Sequence, residues 1–385
     1  MPSFTLRFAF LFCALLAWQG AIDAQNFQNG SISFDGQNRS YLVYTPIGYG
    51  PTSPPLPLLF NFHGGNGDIA SQVAISDLRS IADTAGFIAV YPQALPDPND
   101  GGSTNWLHKD PTQVDDVLFI DALIDSLSDQ FRIDTSRIYA CGYSLGGEFT
   151  YELGCRLNER MAAIAVVART MQTYQYNNCM PNHPTGVLTI LGTADAVSDY
   201  NGMSFGGIQY YVSADDVHQY WALHNNSPNQ QITAVPNTDP SDGSTVELQT
   251  WTDASNCQYV KHFKVNGGGH DWPGSFGNMD IRSDEEIWRF VSQFDLNGSM
   301  GCNSTSAGER QMEGIKVYPN PFREFIIIDA PEGTTQNYRL LDAQGQLVKI
   351  GTTEPGSSEI ELNELPLGLY FLQTGSTFHK LLKTN

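Results

Sequence analysis

The sequence predicts a large α/β domain, whose mostly parallel sheet is covered by helices on both faces, followed by a small all-β sandwich. From Gln25 to Gly298, strand-like apolar runs alternate with helix-like amphipathic runs. This alternation is typical of parallel sheets that are buried on both faces. After a polar, Gly/Ser-rich linker at residues 299–312, short strands and turns fill residues 313–385, which favours a β-sandwich.

The predicted strands are short apolar runs rich in β-branched and aromatic side chains, and the predicted helices have apolar residues at helical spacing. In the large domain the strands are Ser40–Tyr44, Leu56–Phe62, Phe87–Tyr91, Arg137–Cys141, Ala162–Val167, Val187–Leu191, Val246–Thr252 and Tyr259–Val265. Its helices include Ile69–Ala85, Val117–Leu127 and Glu285–Phe294. In the C-terminal part the strands are Ile315–Tyr318, Phe325–Asp329, Tyr338–Asp342, Leu347–Ile350, Glu359–Leu362, Gly368–Gln373 and Phe378–Leu382.

The first 24 residues have the pattern of a secretory signal peptide. Arg7 precedes an apolar run from Phe8 to Trp18, and small residues lead to a cleavage point after Ala24. The apolar run is shorter than the roughly 20 residues that a membrane-spanning helix needs. We therefore expect a secreted protein without a membrane span.

Composition narrows the range of partners. Lys and Arg number 20 against 41 Asp and Glu, which gives a net charge of −21. Such a chain is repelled by nucleic-acid phosphates and by anionic lipids, so neither is an expected partner. The sequence contains no CxxC pair and no His/Cys cluster with zinc spacing, so it predicts neither a metal nor another cofactor.

A nucleophile is predicted at Ser144. The run Gly142–Gly147 reads GYSLGG and lies between a predicted strand and a predicted helix. In the GxSxG pattern, small neighbours allow a sharp strand-to-helix turn that exposes the serine hydroxyl beside the helix N-terminus. A bare Gly-rich turn is the structural alternative.

A serine nucleophile needs a base and an acid that orients the base. His270 is the predicted base because it follows three glycines after the last predicted strand, and His63 is the competitor. Asp195 is the predicted acid because it follows Val187–Leu191, with Asp199 as runner-up. The chain order Ser, Asp, His is that of α/β-hydrolases.

The loop after the strand Leu56–Phe62 supplies predicted oxyanion donors. It reads HGGNG, and we expect the backbone N–H groups of Gly64, Gly65 and Asn66 to act with that of Leu145. Trp106, Trp272 and Tyr143 are predicted to contact the substrate, and core packing is the alternative for the two tryptophans.

These motifs carry a family resemblance. They are RSYLVYTP from Arg39, HGGNG from His63, YPQ from Tyr91, NW from Asn105, VDDVLFI from Val114, GYSLGG from Gly142, GTAD from Gly192 and GGGHDWPG from Gly267. In this order they resemble the secreted polyhydroxybutyrate depolymerase/feruloyl esterase family of α/β-hydrolases, over about Ser31–Phe294. The resemblance implies a triad of Ser144, Asp195 and His270. Leu191 and Arg169 depart from residues usual in that family.

The C-terminal part resembles the sorting domain of the type IX secretion system. VYPNP from Val317, LDAQG from Leu341, LPLGLY from Leu365 and KLLK from Lys380 carry this resemblance. It implies the secretion machinery as a partner and an extracellular or outer-membrane surface location in a Gram-negative bacterium. A generic carbohydrate-binding β-module is the alternative.

The expected activity is hydrolysis of carboxylic esters, on feruloyl or acetyl groups of polysaccharides or on polyhydroxyalkanoate-like esters. A secreted serine peptidase of the same fold and a non-catalytic surface adhesin are the alternatives from other classes. Of the cysteines, we expect Cys141 to be a buried free thiol and Cys302 to lie in the linker. That leaves Cys155, Cys179 and Cys257, so one disulfide at most is expected. Cys155–Cys179 is favoured over Cys179–Cys257, although sequence alone does not determine connectivity.

Overall fold

The computed structural model describes residues 27–107, 115–300, 316–329, 337–342, 347–353, 356–374 and 377–384. The predicted signal peptide, nearly all of the predicted linker and Cys302 lie outside the described residues. None of the helices in these ranges combines the length and the apolar character that crossing a bilayer requires.

The large domain contains sixteen strands and seven α-helices among its described residues. The strands are β1 Phe27–Phe34, β2 Gln37–Tyr44, β3 Leu56–Phe62, β4 Ile88–Pro92, β5 Leu95–Pro96, β6 Thr104–Asn105, β7 Ile133–Tyr143, β8 Ala163–Val167, β9 Gly186–Gly192, β10 Met203–Phe205, β11 Ile208–Tyr211, β12 Asn229–Ala234, β13 Thr245–Thr252, β14 Gln258–Asn266, β15 Phe294–Asp295 and β16 Gly298–Ser299. The helices are α1 Ile69–Ile75, α2 Arg79–Ala85, α3 Asp116–Gln130, α4 Leu145–Arg156, α5 Thr173–Asn178, α6 Ala214–His224 and α7 Ser283–Val291.

Ten strands form one sheet in the order β1-β2-β4-β3-β7-β8-β9-β14-β13-β12. The six central strands, from β4 to β14, run parallel, and the antiparallel strands lie at the two edges. This arrangement confirms the predicted α/β-hydrolase fold. It also brings the loops after β3, β7, β8, β9 and β14 to one edge of the sheet, where ligands bind in open α/β sheets.

The central strands are apolar on both faces because helices cover both faces. Leu58 and Phe60 pack in a core cluster with residues of α3 and α4, whereas Leu59 packs with residues of α2 and α7. Successive side chains of a strand point to opposite faces, so one apolar run supplies both layers. Full burial of each such side chain stabilises the fold by about 1.5–3 kcal/mol.

The predicted helix Ile69–Ala85 is two helices, α1 and α2. The Ser76 carbonyl, at the end of α1, accepts a hydrogen bond from the Tyr91 hydroxyl at 2.9 Å, and the same hydroxyl accepts one from the Leu78 N–H at 3.1 Å. A tyrosine from the neighbouring strand thus satisfies the backbone groups at the break. The spacing of apolar residues on either side of the break does not show that such a hydrogen-bond partner exists.

Sequence patterns also missed β1, β12, the β10–β11 hairpin and α6. In β12 all six residues are exposed, and β1 shows no strict alternation of apolar and polar residues. Both lie at the outer positions of the sheet, where hydrogen bonds to one neighbour rather than core burial hold a strand in place.

The C-terminal domain contains two antiparallel sheets. Its strands are β17 Lys316–Tyr318, β18 Phe325–Asp329, β19 Asn337–Asp342, β20 Leu347–Thr352, β21 Ser357–Glu361, β22 Gly368–Thr374 and β23 Thr377–Lys383. The sheets have the orders β17-β18-β21 and β20-β19-β22-β23, and Phe322, Ile326, Ile328, Leu340 and Leu372 pack in a shared apolar cluster. The predicted small all-β domain is confirmed.

The two domains contact each other at Tyr220 of α6. The ring of Phe371 lies 6.1 Å from the Tyr220 ring, and the Lys380 amine donates a hydrogen bond to the Tyr220 hydroxyl at 3.0 Å. Burial lowers the pKa of Lys380 to about 7. The polar composition of the linker gave no indication of this contact.

Cys155, at the end of α4, and Cys179, after α5, form the favoured disulfide, with a Cα–Cα distance of 4.7 Å. Cys141 is a buried free thiol, as predicted. Cys257 is also disulfide-bonded, whereas the sequence argument left it unpaired. That argument was wrong in allowing one pair at most.

Candidate active site

Ser144 occupies the turn between β7 and α4. Its backbone has φ 53° and ψ −120°, in a region that non-glycine residues rarely adopt. The Ser144 N–H donates to the Val167 carbonyl at 2.9 Å, and the Ser144 carbonyl accepts from the Glu148 N–H at 3.0 Å. Hydrogen bonds on both sides of the serine therefore hold a conformation that typically costs about 1–3 kcal/mol.

The glycines of this turn are required by close backbone contacts. A Cβ at Gly142 would lie 2.3 Å from the Gly146 carbonyl oxygen, and a Cβ at Gly146 would lie 2.3 Å from the Phe62 carbonyl oxygen. The second contact joins the nucleophile turn to the end of β3. The GxSxG pattern thus reflects packing of the turn on itself and on the neighbouring strand.

His270 and Asp195 lie within hydrogen-bond distance of this serine, in a chain Ser–His–Asp. The Ser144 Oγ is 2.9 Å from His270 Nε2, and His270 Nδ1 is 2.7 Å from Asp195 Oδ2. These partners assign the Nδ1–H tautomer to His270, with Nε2 accepting from the serine hydroxyl. The structure therefore brings the three predicted triad residues together from the ends of three different strands.

Backbone hydrogen bonds tie the acid loop to the base loop. The Ala194 N–H donates to the Gly268 carbonyl at 2.9 Å, and a Cβ at Gly192 would lie 2.3 Å from the same oxygen. The Tyr143 hydroxyl, next to the nucleophile, donates to the His270 carbonyl at 2.6 Å. Tyr143 thus contacts the base itself, and it holds the imidazole loop against the nucleophile turn.

The Asp195 carboxylate is held in its charged form. Burial favours a higher pKa, but the hydrogen bonds from His270 and from the N–H groups of Ser198 and Val197 outweigh it, and the pKa of Asp195 lies below its usual range. Asp199, the runner-up, is exposed and accepts from the Asn201 N–H. The geometry therefore favours Asp195 as the partner of His270.

His63, the competing histidine, has a different environment. It is buried, its Nε2 accepts from the Ala94 N–H at 3.1 Å and its Nδ1 lies 2.7 Å from the Gly64 carbonyl. Burial lowers the pKa of His63, which keeps the ring neutral. It supports the HGGNG loop rather than contacting Ser144.

The two glycines predicted as oxyanion donors pack against the nucleophile turn, Gly64 against Ser144 and Gly65 against the Leu145 side chain. A Cβ at Gly64 would lie 3.3 Å from Ser144 Cβ, and one at Gly65 would lie 2.6 Å from Leu145 Cδ1. The Asn66 N–H instead donates to the Thr104 carbonyl at 2.9 Å. The prediction for Asn66 is therefore wrong in this conformation, because its N–H is already used inside the loop.

Comparison with known proteins finds esterases that are similar to the large domain. The bifunctional acetylxylan esterase/xylanase XynS20E of Neocallimastix patriciarum is 28% identical over 273 residues, which cover 71% of this chain and 36% of that protein. Feruloyl esterase B of Piromyces equi is 27% identical over 274 residues, which cover 67% of this chain and 46% of that protein. The chain spans less than half the length of these two relatives. The large domain is similar in sequence to these two esterases.

Two further comparisons concern the fold and the C-terminal domain. The acetyl xylan esterase from Aspergillus awamori superposes with a TM-score of 0.47 at 14% identity, over 69% of this chain and 99% of that one. Residues 316–384 match the secretion system C-terminal sorting domain. The predicted type IX sorting domain is confirmed, and with it the expectation that the protein is secreted.

The two tryptophans lie in the core of this esterase-like domain. Trp106 is 3% exposed, its ring stacks on Phe149 and its indole N–H donates to the His63 carbonyl at 2.9 Å. Trp272 is 1% exposed and its indole N–H donates to Asp284 at 3.2 Å. With so little surface exposed, neither indole presents a face to a substrate in this conformation, so the packing alternative describes both.

Sequence reasoning missed a buried charged cluster beside the nucleophile turn. Glu148, in the first turn of α4, accepts hydrogen bonds from Arg169 at 2.9 Å and from the Tyr211 hydroxyl at 2.7 Å. Gln172 also donates to this carboxylate. In the sequence, Arg169 had stood out only as a departure from the residue usual in the family that the chain resembles. The other signal was Glu148, a charged residue within the predicted helix after Ser144.

Proposed function

We propose that the protein is a secreted serine esterase that hydrolyses carboxylic esters through an acyl-enzyme intermediate. The observation that supports the proposal is the chain of hydrogen bonds from Ser144 through His270 to Asp195, with distances of 2.9 and 2.7 Å. A nucleophile, a base within reach of it and an acid that orients the base are the parts that this chemistry needs.

In the first half-reaction, the Ser144 Oγ attacks the ester carbonyl carbon while His270 Nε2 takes the hydroxyl proton. The negative charge that develops on the carbonyl oxygen is stabilised by the N–H of Leu145 and by the Gly64–Gly65 backbone. Asp195 holds the Nδ1–H tautomer and stabilises the imidazolium. His270 then protonates the leaving alcohol, and the acyl group remains on Ser144.

In the second half-reaction, water attacks the acyl-enzyme and His270 accepts a proton from it. Collapse of the second tetrahedral intermediate releases the acid, and the proton returns to Ser144. The low pKa of Asp195 keeps its carboxylate charged throughout the cycle, so it can stabilise the imidazolium in both halves.

The proposed substrates are feruloyl or acetyl esters attached to polysaccharide. This choice is supported by homology to an acetylxylan esterase and to feruloyl esterases, and by a sorting domain that exports the enzyme to where such polymers occur. Polyhydroxyalkanoate-like esters are the second candidate substrate for the same reaction. The motifs that resemble those of polyhydroxybutyrate depolymerases support this candidate.

Fluorophosphonate labelling followed by a substrate panel tests the proposal. We expect labelling at Ser144, hydrolysis of ethyl ferulate, p-nitrophenyl acetate or acetylated xylan, and no hydrolysis of peptide p-nitroanilides. Labelling combined with cleavage of peptides alone would replace the esterase with a peptidase. Absence of labelling in the folded protein would favour an adhesin.

A further inference from the structure

The hairpin of β10 and β11 turns an apolar face to solvent. Phe205 and Ile208 are directly opposite each other in the hairpin, and Tyr210 follows Ile208 by two residues. Side chains that are cross-strand partners, or two residues apart on a strand, lie on the same face. Phe205, Ile208 and Tyr210 therefore form one surface, called here the hairpin face.

The three large side chains of the hairpin face are unusually exposed to solvent. Phe205 is 81% exposed, Ile208 61% and Tyr210 50%. Gly206 and Gly207 make the turn with φ of 60° and 82°, and a Cβ on either glycine would meet no atom within 4 Å. Clustered exposed apolar side chains of this kind mark interaction sites on soluble proteins.

The opposite face of the hairpin is anchored to the proposed catalytic machinery. Tyr211 points inward, and its hydroxyl donates to Glu148, whose N–H in turn donates to the Ser144 carbonyl. The Val212 N–H donates to the Met171 carbonyl at 3.1 Å. Ile208 lies three extended residues from Tyr211, about 10 Å along the strand.

The hairpin also continues the loop that supplies the catalytic acid. Val197 and Ser198 donate their N–H groups to Asp195, and β10 begins at Met203 shortly after them. Both ends of the hairpin are therefore connected to residues of the triad or to the helix that starts at the nucleophile. A polymer bound on the hairpin face would be held at a constant distance from Ser144.

The uncharged residues of the hairpin favour an uncharged binding partner. No charged residue occurs between Asp199 and Asp215, and the protein as a whole carries a net charge of −21. Anionic polymers are repelled by such a molecule. The Tyr210 ring on the hairpin face also carries a hydroxyl that both donates and accepts hydrogen bonds. Sugar hydroxyls can match it in both directions, whereas a polyester chain offers acceptors alone.

We propose that the hairpin face binds the neutral polysaccharide backbone that carries the ester, with sugar rings packing on Phe205, Ile208 and Tyr210. This inference rests on the proposed function for the identity of the polymer, and it adds a second contact with the substrate outside the triad. Binding on the hairpin face raises the local concentration of esters at Ser144 without contacting the ester itself.

Adsorption of the full-length protein to insoluble xylan tests the proposal directly. The variant Phe205→Thr/Ile208→Thr keeps β-forming residues and removes the apolar surface. The matched control is Ile232→Thr, at another exposed isoleucine, 55% exposed on β12. Thermal unfolding checks that each variant is folded, and depletion isotherms give the affinity.

We expect the double variant to bind xylan about tenfold more weakly, and its ratio of activity on acetylated xylan to activity on p-nitrophenyl acetate to fall. The Ile232→Thr variant should match the wild type in both measurements. Equal adsorption of the double variant and the wild type would overturn the proposal, and so would adsorption to polyhydroxybutyrate granules in place of xylan. A wild-type protein that adsorbs through the hairpin face but hydrolyses no ester would refute the proposed function and leave this binding surface standing.

Discussion

The large domain and the C-terminal domain differ in how their buried residues are used. The described core of the C-terminal domain is an apolar cluster of residues such as Phe322, Leu340 and Leu372. The large domain also buries the Glu148–Arg169 ion pair and holds Ser144 at φ 53°. Buried charge and backbone strain both reduce stability. The described part of the C-terminal domain also buries a charged side chain, Lys383, but its amine donates to the backbone carbonyl of Asn363. The buried ion pair and the strained serine of the large domain instead lie together at the proposed active site.

The comparison separates the sorting domain, whose described strands enclose a small apolar core, from the domain that holds the proposed catalytic residues. The esterase-like domain needs convergent side chains from distant strands. Changes that affect one domain and spare the other test this division.

The largest effect is expected for Ser144→Ala. Loss of the nucleophile should lower kcat on p-nitrophenyl acetate by roughly 10⁴-fold or more, because the remaining site has no poised nucleophile. Ser33→Ala, at an exposed serine on β1, is the control and should leave kcat unchanged. A folded Ser144→Ala enzyme that retains most activity would remove the serine from its proposed role.

The Asp195→Asn substitution should come next, with a loss on the order of 10³–10⁴-fold in kcat. An amide in place of the carboxylate offers no charge to stabilise the imidazolium and favours the wrong tautomer of His270. Asp199→Asn is the matched control, since that carboxylate is exposed and bonded to Asn201. The reverse ranking in steady-state kinetics would move the acid to Asp199.

Removal of the Cys155–Cys179 disulfide should lower the free energy of unfolding of the large domain by roughly 3 kcal/mol. The bond closes a loop with a sequence separation of 24 residues, which restricts the unfolded chain. Urea unfolding of Cys155→Ala/Cys179→Ala measures the effect. Peptide mapping without reduction is the control, and alkylation of Cys155 in the native oxidised protein would contradict the pairing.

Acid should destabilise the large domain through two adjacent buried histidines, His218 and His262, whose ring centroids are 4.0 Å apart. Burial lowers the pKa of His218 to about 3 and that of its neighbour His262 below the usual value near 6.5. The unfolded chain then binds more protons than the folded one as pH falls through 6.5, so stability is lost below that pH. From pH 7.5 to pH 5 we expect a loss of roughly 2 kcal/mol for His218 alone.

The check on this prediction is the slope of unfolding free energy against pH. His218→Phe should flatten the slope, whatever it costs in absolute stability, because it removes the titrating group while keeping a ring beside Trp251. An unchanged slope in this variant would assign the acid sensitivity to other residues.

The smallest effect on catalysis is expected from removal of the C-terminal domain. A stop after Gly298 should leave kcat within about twofold, because the described triad contacts all lie in the large domain. Loss of the contacts of Tyr220 with Phe371 and Lys380 should lower stability slightly, and the native cell should fail to export the truncated enzyme. A folded truncation without activity would show that the C-terminal domain helps to build the site.

Most of the fold followed from local patterns. The apolar run Leu56–Phe62 is β3 with identical bounds, and Phe325–Asp329 is β18. Long buried runs can be recognised in the sequence because a strand between two helical layers has apolar side chains on both faces. The hairpin of β10 and β11 was not predicted, because its apolar residues point outward. Its inward residue, Tyr211, is held by a hydrogen bond to a glutamate 63 residues away.

The triad candidates could be predicted from local patterns, since a nucleophile turn, an acid after a strand and a Gly-rich histidine loop leave recognisable signatures at Ser144, Asp195 and His270. Three other outcomes come from contacts between residues that are distant in the chain. His270 pairs with Asp195 rather than with Asp199, the rings of Trp106 and Trp272 lie in the core, and the Asn66 N–H is used in a loop contact. The physical reason is that these outcomes depend on distances between groups far apart in the chain, whereas turn and strand preferences depend on neighbours within a few residues.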